Sequence, residues 1–96
     1  MTFQFNAPHM KFEYDPEKSV ANREKHGIDF DEAQTLWNDP YLIEAPAQDT
    51  DEPRFLAVGV FGSWHWAVIY TYRNGRVRMI SVRRARKREI DHYEGD

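Results

Sequence analysis

Cysteine is absent from all 96 residues. That excludes a disulfide, a thiolate metal site and a cysteine nucleophile. No apolar run approaches the roughly 20 residues that cross a bilayer. Met1 to Met10 also lacks the basic start and apolar block of a secretory signal. Together these absences predict a cytoplasmic protein. Basic residues are scarce at first: residues 1–53 hold 4 Lys/Arg against 12 Asp/Glu, and residues 54–96 hold 9 against 4. The net charge of −3 therefore hides a dipolar molecule, which points to an anionic ligand on one side.

Metal and serine chemistry find no support. His9, His26, His65 and His92 are scattered, with no HxxxH or Glu-x-x-His spacing, so neither a metal site nor a cofactor is expected. Ser19, Ser63 and Ser81 lack a nucleophile elbow.

What is present favours a folded chain. Hydrophobic residues make up 41% and aromatics 15%, enough for one small domain with a modest core. We expect an extension over residues 1–10 and a single domain over 11–96. "KFEYD" (Lys11 to Asp15) alternates as a short strand. Asp15 suits a helix N-cap, with Pro16 in the first turn. That helix should reach about His26 and close at Gly27. Asp29 and Glu32 form a capping-box pattern for a second helix, with Phe30, Ala33 and Trp37 on one face and "NDP" (Asn38 to Pro40) as its stop. Tyr41 to Pro53 reads as a loop. Three strands follow, Arg54 to Phe61, Trp64 to Arg73 and Arg76 to Arg84, and then a terminal helix from Ala85 to Glu94.

Asn74-Gly75 is a strong hairpin signal. A two-residue loop there pairs Arg73 with Arg76. Tyr72/Val77, Tyr70/Met79, Val68/Ser81 and Trp66/Arg83 then share one face. Thr71/Arg78, Ile69/Ile80, Ala67/Val82 and His65/Arg84 share the other.

"RVRMISVRRARKRE" (Arg76 to Glu89) is the densest basic stretch. Arginine's planar fork grips phosphate with two parallel hydrogen bonds. Trp64, Trp66, Tyr70, Tyr72 and Tyr93 lie nearby in sequence, and aromatic rings can stack on unpaired bases. RNA phosphate is therefore the favoured anion, and Arg78, Arg86, Lys87, Arg88, Trp66 and Tyr70 are candidate RNA contacts. The plainer alternative is a solvated face paired with the acidic first half, its aromatics serving as core. "KHG" (Lys25 to Gly27) places a histidine that can move protons. It also suits a simple helix ending, where Lys and His complement the dipole.

"FEYDPEKSVANREKHGIDFDEA", "RFLAVGVF" and "AVIYTYRNGRVRMISVRRARKREIDHYE" together resemble the BrnT family. The resemblance covers about Phe12 to Glu94, and "EKHGIDF" and "RMISVRRARKRE" are its most specific parts. Trp64 and Trp66 depart from the pattern. The resemblance implies an α+β, RelE-like fold: two N-terminal helices on a small antiparallel sheet, with a C-terminal helix. It implies a toxin of a type II toxin–antitoxin pair, a metal-independent endoribonuclease that cuts mRNA and halts translation. It implies a BrnA-type ribbon-helix-helix antitoxin, two of each chain forming a heterotetramer that meets DNA only through the antitoxin. Under this reading Arg83 and Arg84 hold the phosphate and Arg54 is a third contact. His26 carries the proton, Lys25 supplies local charge, and Tyr93 orients or protonates. The rival is a non-catalytic RNA-binding or protein-interaction module using the same basic edge.

Overall fold

The computed structural model describes residues 10–47 and 51–95. Residues 1–9 of the expected extension, and 48–50 of the acidic run before Pro53, lie outside the described residues. Met10, the last residue of that extension, packs against the core.

The elements in order are β1 (Phe12–Glu13), α1 (Pro16–His26), α2 (Phe30–Ala33) continued by a 3-10 turn (Gln34–Asn38), β2 (Ile43–Pro46), β3 (Phe55–Phe61), β4 (Trp64–Arg73), β5 (Arg76–Arg84) and α3 (Lys87–Glu94). The five strands form one sheet in the order β1-β5-β4-β3-β2. No helix among the described residues is long and apolar enough to cross a membrane.

Local signals behave as the residues dictate. The Asp15 carboxylate accepts from the Glu17 N–H at 2.9 Å, and Gly27 closes α1 at φ 85°. Asp29 accepts from the Glu32 N–H at 2.7 Å while Glu32 accepts from the Asp29 N–H at 3.1 Å, so the capping box is complete. Asn74 and Gly75 both adopt positive φ, the geometry a two-residue hairpin turn needs.

Three expectations are corrected. The loop assigned to Tyr41–Pro53 contains β2, antiparallel to β3, with Pro46 opposite Phe55. Pro46 is tolerated because β2 is an edge strand, where a missing donor costs no ladder bond. The sheet is mixed, since β1 runs parallel to β5 through Phe12↔Val77 and Glu13↔Arg78. The third correction is the hairpin register. It follows the two-residue loop only from Arg73↔Arg76 to Tyr70↔Met79, and then shifts so that Ile69 faces Ser81, Ala67 faces Arg83 and Trp66 faces Arg84. Ile80 is thus an extra residue on β5, a bulge that exchanges the faces expected for everything after it.

The bulge keeps each face chemically consistent. One face carries Trp66, Val68, Tyr70, Val77, Met79 and Val82, all buried. Phe30, Ala33, Leu36 and Trp37 cover it from α2 and the 3-10 turn. Trp37 meets Phe12 and Tyr70 edge-on, at centroid distances of 5.2 and 5.3 Å. Full burial of such side chains contributes about 1.5–3 kcal/mol each, so this layer holds the fold together. α1 closes the free edge of β5 beyond β1. Its buried Asn22 donates to the carbonyls of Val82 (2.9 Å) and Ile28 (2.8 Å) and accepts from the Val82 N–H at 3.1 Å.

Candidate functional site

The opposite sheet face is the arginine-bearing one. Arg73 and Arg76 flank the turn, Arg78 lies opposite Thr71, and Arg83 lies opposite Ala67. Continuing the β3–β4 register by one residue places Arg54 opposite Thr71 as well. Between these arginines the floor is Leu56, Ile69 and Ser81, half-buried rather than sealed. α3 packs on β3, and its Glu89 reaches Arg83 near the end of β5.

Carboxylates tether three of the arginines. Arg73 meets Glu52 at 2.7 Å and Arg78 meets Glu13 at 3.0 Å. Arg83 is held by both Glu89 oxygens, at 2.8 and 2.9 Å, and donates to the Arg84 carbonyl at 3.2 Å. Of the five N–H donors of an arginine, that leaves two on Arg83 for a ligand. The Arg83 guanidinium holds the Glu89 carboxyl below its ordinary value, against the opposing effect of burial. Arg54 differs: its Nε is buried and has no hydrogen-bond partner among the described residues. A buried donor left unmade is costly.

A groove of about 240 Å³ runs along the β5 edge of this face, lined by Lys18, Ala21, Asn22, Lys25, His26, Ile80 and Ser81. Arg23, on the flank of α1 turned to α2, bonds Glu32 at 2.7 Å. Lys18, Ala21 and Lys25 therefore sit on the other flank, beside the bulge. Ser81 belongs both to the groove and to the arginine face, opposite Ile69, so the two are contiguous. His26, Lys25, Arg54, Arg78 and Arg83 thus share one side of the molecule.

The remaining candidates are placed elsewhere. Arg84 is on the helix-covered face, its guanidinium carbon 3.5 Å from the ring centroid of Trp64. Trp66 and Tyr70, expected as RNA contacts, are 6% and 1% exposed. This corrects the stacking role assigned to them, because their rings are spent in the core; the Tyr70 hydroxyl bonds Glu44. Arg86, Lys87 and Arg88 are exposed around the start of α3, with Lys87 paired to Asp91 at 3.0 Å. The Tyr93 hydroxyl donates to Asp39 at 2.7 Å, in a different cleft.

That second cleft, about 770 Å³, is the larger and shares no lining residue with the His26 groove. Here His65 meets Glu94 at 2.7 Å and stacks edge-on against Tyr93. Asp39 accepts from the Tyr93 hydroxyl and from the N–H groups of Tyr41 and Val60. Burial alone would raise its pKa, but these hydrogen bonds outweigh burial and hold it below the ordinary value. Burial, with the bond to Asp39, pushes the Tyr93 phenol up to about 12. The sequence reading missed both Asp39, taken as a helix stop, and His65, taken as one of several scattered histidines. Asp39 and Tyr93 are far apart in the chain and no local pattern links them. Size does not make this cleft the phosphate site: its lining includes two carboxylates and neither Arg nor Lys, which repel a polyanion.

No curated protein is similar enough to this chain to count as a relative. A family model described as "Ribonuclease toxin, BrnT, of type II toxin-antitoxin system" matches residues 14–89. That span runs from Tyr14, just before α1, through the bulged hairpin to Glu89, and so takes in the His26 groove and every arginine of the open face. The chain belongs to the BrnT family of ribonuclease toxins from type II toxin–antitoxin systems.

Proposed function

We propose that this chain is a metal-independent endoribonuclease that cuts mRNA on the open face of its sheet and so inhibits translation. The observation that carries this is the continuity of the histidine-bearing α1 end with an arginine face through Ser81. RNA supplies its own nucleophile. His26 takes the proton of the 2′-hydroxyl, whose oxygen bonds to the adjacent phosphorus. The bond from phosphorus to the 5′ oxygen then breaks, and that oxygen receives a proton. The products are a 2′,3′-cyclic phosphate and a 5′-hydroxyl end. Arg54 and Arg83 hold the phosphate and stabilise the charge that builds on it, Arg78 binds a flanking phosphate, and Lys25 raises the local positive potential. Arg86, Lys87 and Arg88 extend the basic track. Tyr93, engaged with Asp39, acts in positioning α3.

The rest of the reading follows from the same family. The fold is RelE-like, the protein acts in the cytoplasm, and the neutralising partner is a BrnA-type ribbon-helix-helix antitoxin in a complex of two toxins and two antitoxins. DNA is met only through that antitoxin.

The test is turnover. Purified chain in EDTA, with RNA in excess, should generate new 5′-hydroxyl ends, and Arg54→Ala should not. Binding of RNA without new ends would turn the balance to the non-catalytic reading, which the carboxylates already seated on Arg73, Arg78 and Arg83 favour.

A further inference from the structure

We infer that the cleft at the β3–β4 hairpin end is the anchoring site for the antitoxin. It takes a polypeptide segment that lays an apolar side chain on Tyr41 and Phe61 and an arginine or lysine beside Asp39 and Glu94. The inference rests on the toxin–antitoxin reading and identifies the surface that partner uses.

Three observations converge. The first is size: at about 770 Å³ the cleft is roughly three times the His26 groove of about 240 Å³, and the nuclease reading leaves it empty of purpose. The second is its apolar surface. Tyr41, which lines the cleft with Phe61, is 72% exposed. Tyrosine is among the residue types that anchor protein interfaces. The third is charge. The Tyr93 hydroxyl and two backbone N–H groups fix Asp39 as an anion, and His65 orients Glu94 through one oxygen. Such a site repels the RNA backbone and attracts a cationic side chain. The aromatic surface therefore belongs to a protein contact and not to a base-stacking one.

The consequence is a division of labour. Antitoxin anchoring and RNA cleavage use surfaces with no lining residue in common, so different substitutions should affect them.

Wild type, Tyr41→Ala and Glu94→Lys are titrated separately with the purified cognate antitoxin and with a short single-stranded RNA, and RNA turnover is measured in parallel. Tyr41→Ala should weaken antitoxin binding about tenfold or more, as truncating an anchor does. Glu94→Lys should weaken it too, by a factor that shrinks as salt rises. RNA affinity and turnover should hold in both. Antitoxin affinity unchanged in both folded variants would overturn the inference. So would a loss of RNA affinity in Tyr41→Ala, since that would make the cleft part of the substrate path. A wild-type chain that binds the antitoxin but cuts no RNA would remove the nuclease reading alone and leave the anchoring site in place.

Discussion

Asn22 and Val82 sit 60 residues apart in the chain and are joined as two strands would be. The Asn22 amide donates to the Val82 carbonyl at 2.9 Å, and its oxygen accepts from the Val82 N–H at 3.1 Å. A side chain on α1 thus completes the β5 edge where β1 has ended. It also fixes the distance between the His26 end of α1 and the arginine face.

Replacing Asn22 with alanine strands the buried Val82 and Ile28 backbone groups. Three such groups lose their partner at about 1–3 kcal/mol each, so we expect a total loss of about 3 kcal/mol or more. In a domain of this size each kcal/mol is worth about 4–8 °C in Tm. Urea unfolding of the variant is the measurement. A change under about 1 kcal/mol would mean the edge is satisfied without Asn22.

Acid should destabilise the protein, and the sign follows from two carboxylates. The Arg83 guanidinium holds Glu89 below its ordinary 4.5. Tyr93 and two backbone N–H groups, against burial, hold Asp39 below its ordinary 3.8. Both folded values are depressed, so their contribution is complete above the unfolded values and fades as pH falls through the folded ones. Stability should be level from neutral pH down to about 5 and fall below that. Glu89→Gln should make the acid slope shallower. A wild-type urea midpoint that rises between pH 5 and 3 would contradict the assignment.

The nuclease reading assigns different losses to the two adjacent arginines. Arg83 lies on the open face, and Arg84 lies against Trp64 on the other. Arg83→Ala should therefore reduce turnover more than Arg84→Ala, at matched fractions of folded protein. His26→Ala should cost about 10²–10⁴-fold, the usual contribution of a positioned acid–base group. Arg54→Lys should also lose activity, because an ammonium cannot replace the planar fork. Equal losses in the Arg83 and Arg84 variants would place the substrate at the sheet end and not on one face.

Tyr93→Phe separates positioning from chemistry. Its phenol, pushed up to about 12, stays protonated at neutral pH and donates to Asp39. Removing it should cost about 1 kcal/mol and let the Asp39 pKa rise, visible in a carboxylate NMR titration. RNA turnover should persist. A loss of turnover on the His26 scale, with Asp39 unmoved, would restore Tyr93 to the reaction.

Much of the scaffold was legible because its signals are local. Asp15-Pro16, Gly27, the Asp29–Glu32 box and Asn74-Gly75 each act over a few residues, and each does in the structure what its chemistry predicts. β2 was hidden because Pro46 argues against a strand unless one knows that the strand lies at an edge. The bulge was hidden for a related reason. The pattern "RMISVRR" is apolar on both faces near Ile80, so periodicity cannot say where the ladder slips. That single inserted residue puts Arg84, and not Arg83, on the face of Trp66, and so leaves Arg83 on the opposite one.

The amino-acid order by itself determined the helix ends, the hairpin, the concentration of positive charge in the second half and the family likeness. All of these depend on neighbours in the chain or on composition. Tertiary structure alone decided which arginines share a sheet face with Ser81, that Asp39 and Tyr93 meet across 54 residues, and that the cleft they line carries two carboxylates and neither Arg nor Lys. Those outcomes depend on strand register and on the packing of α1 and α3 against the sheet. Register is set by which face must be buried over the whole sheet at once, a condition no short segment of sequence contains.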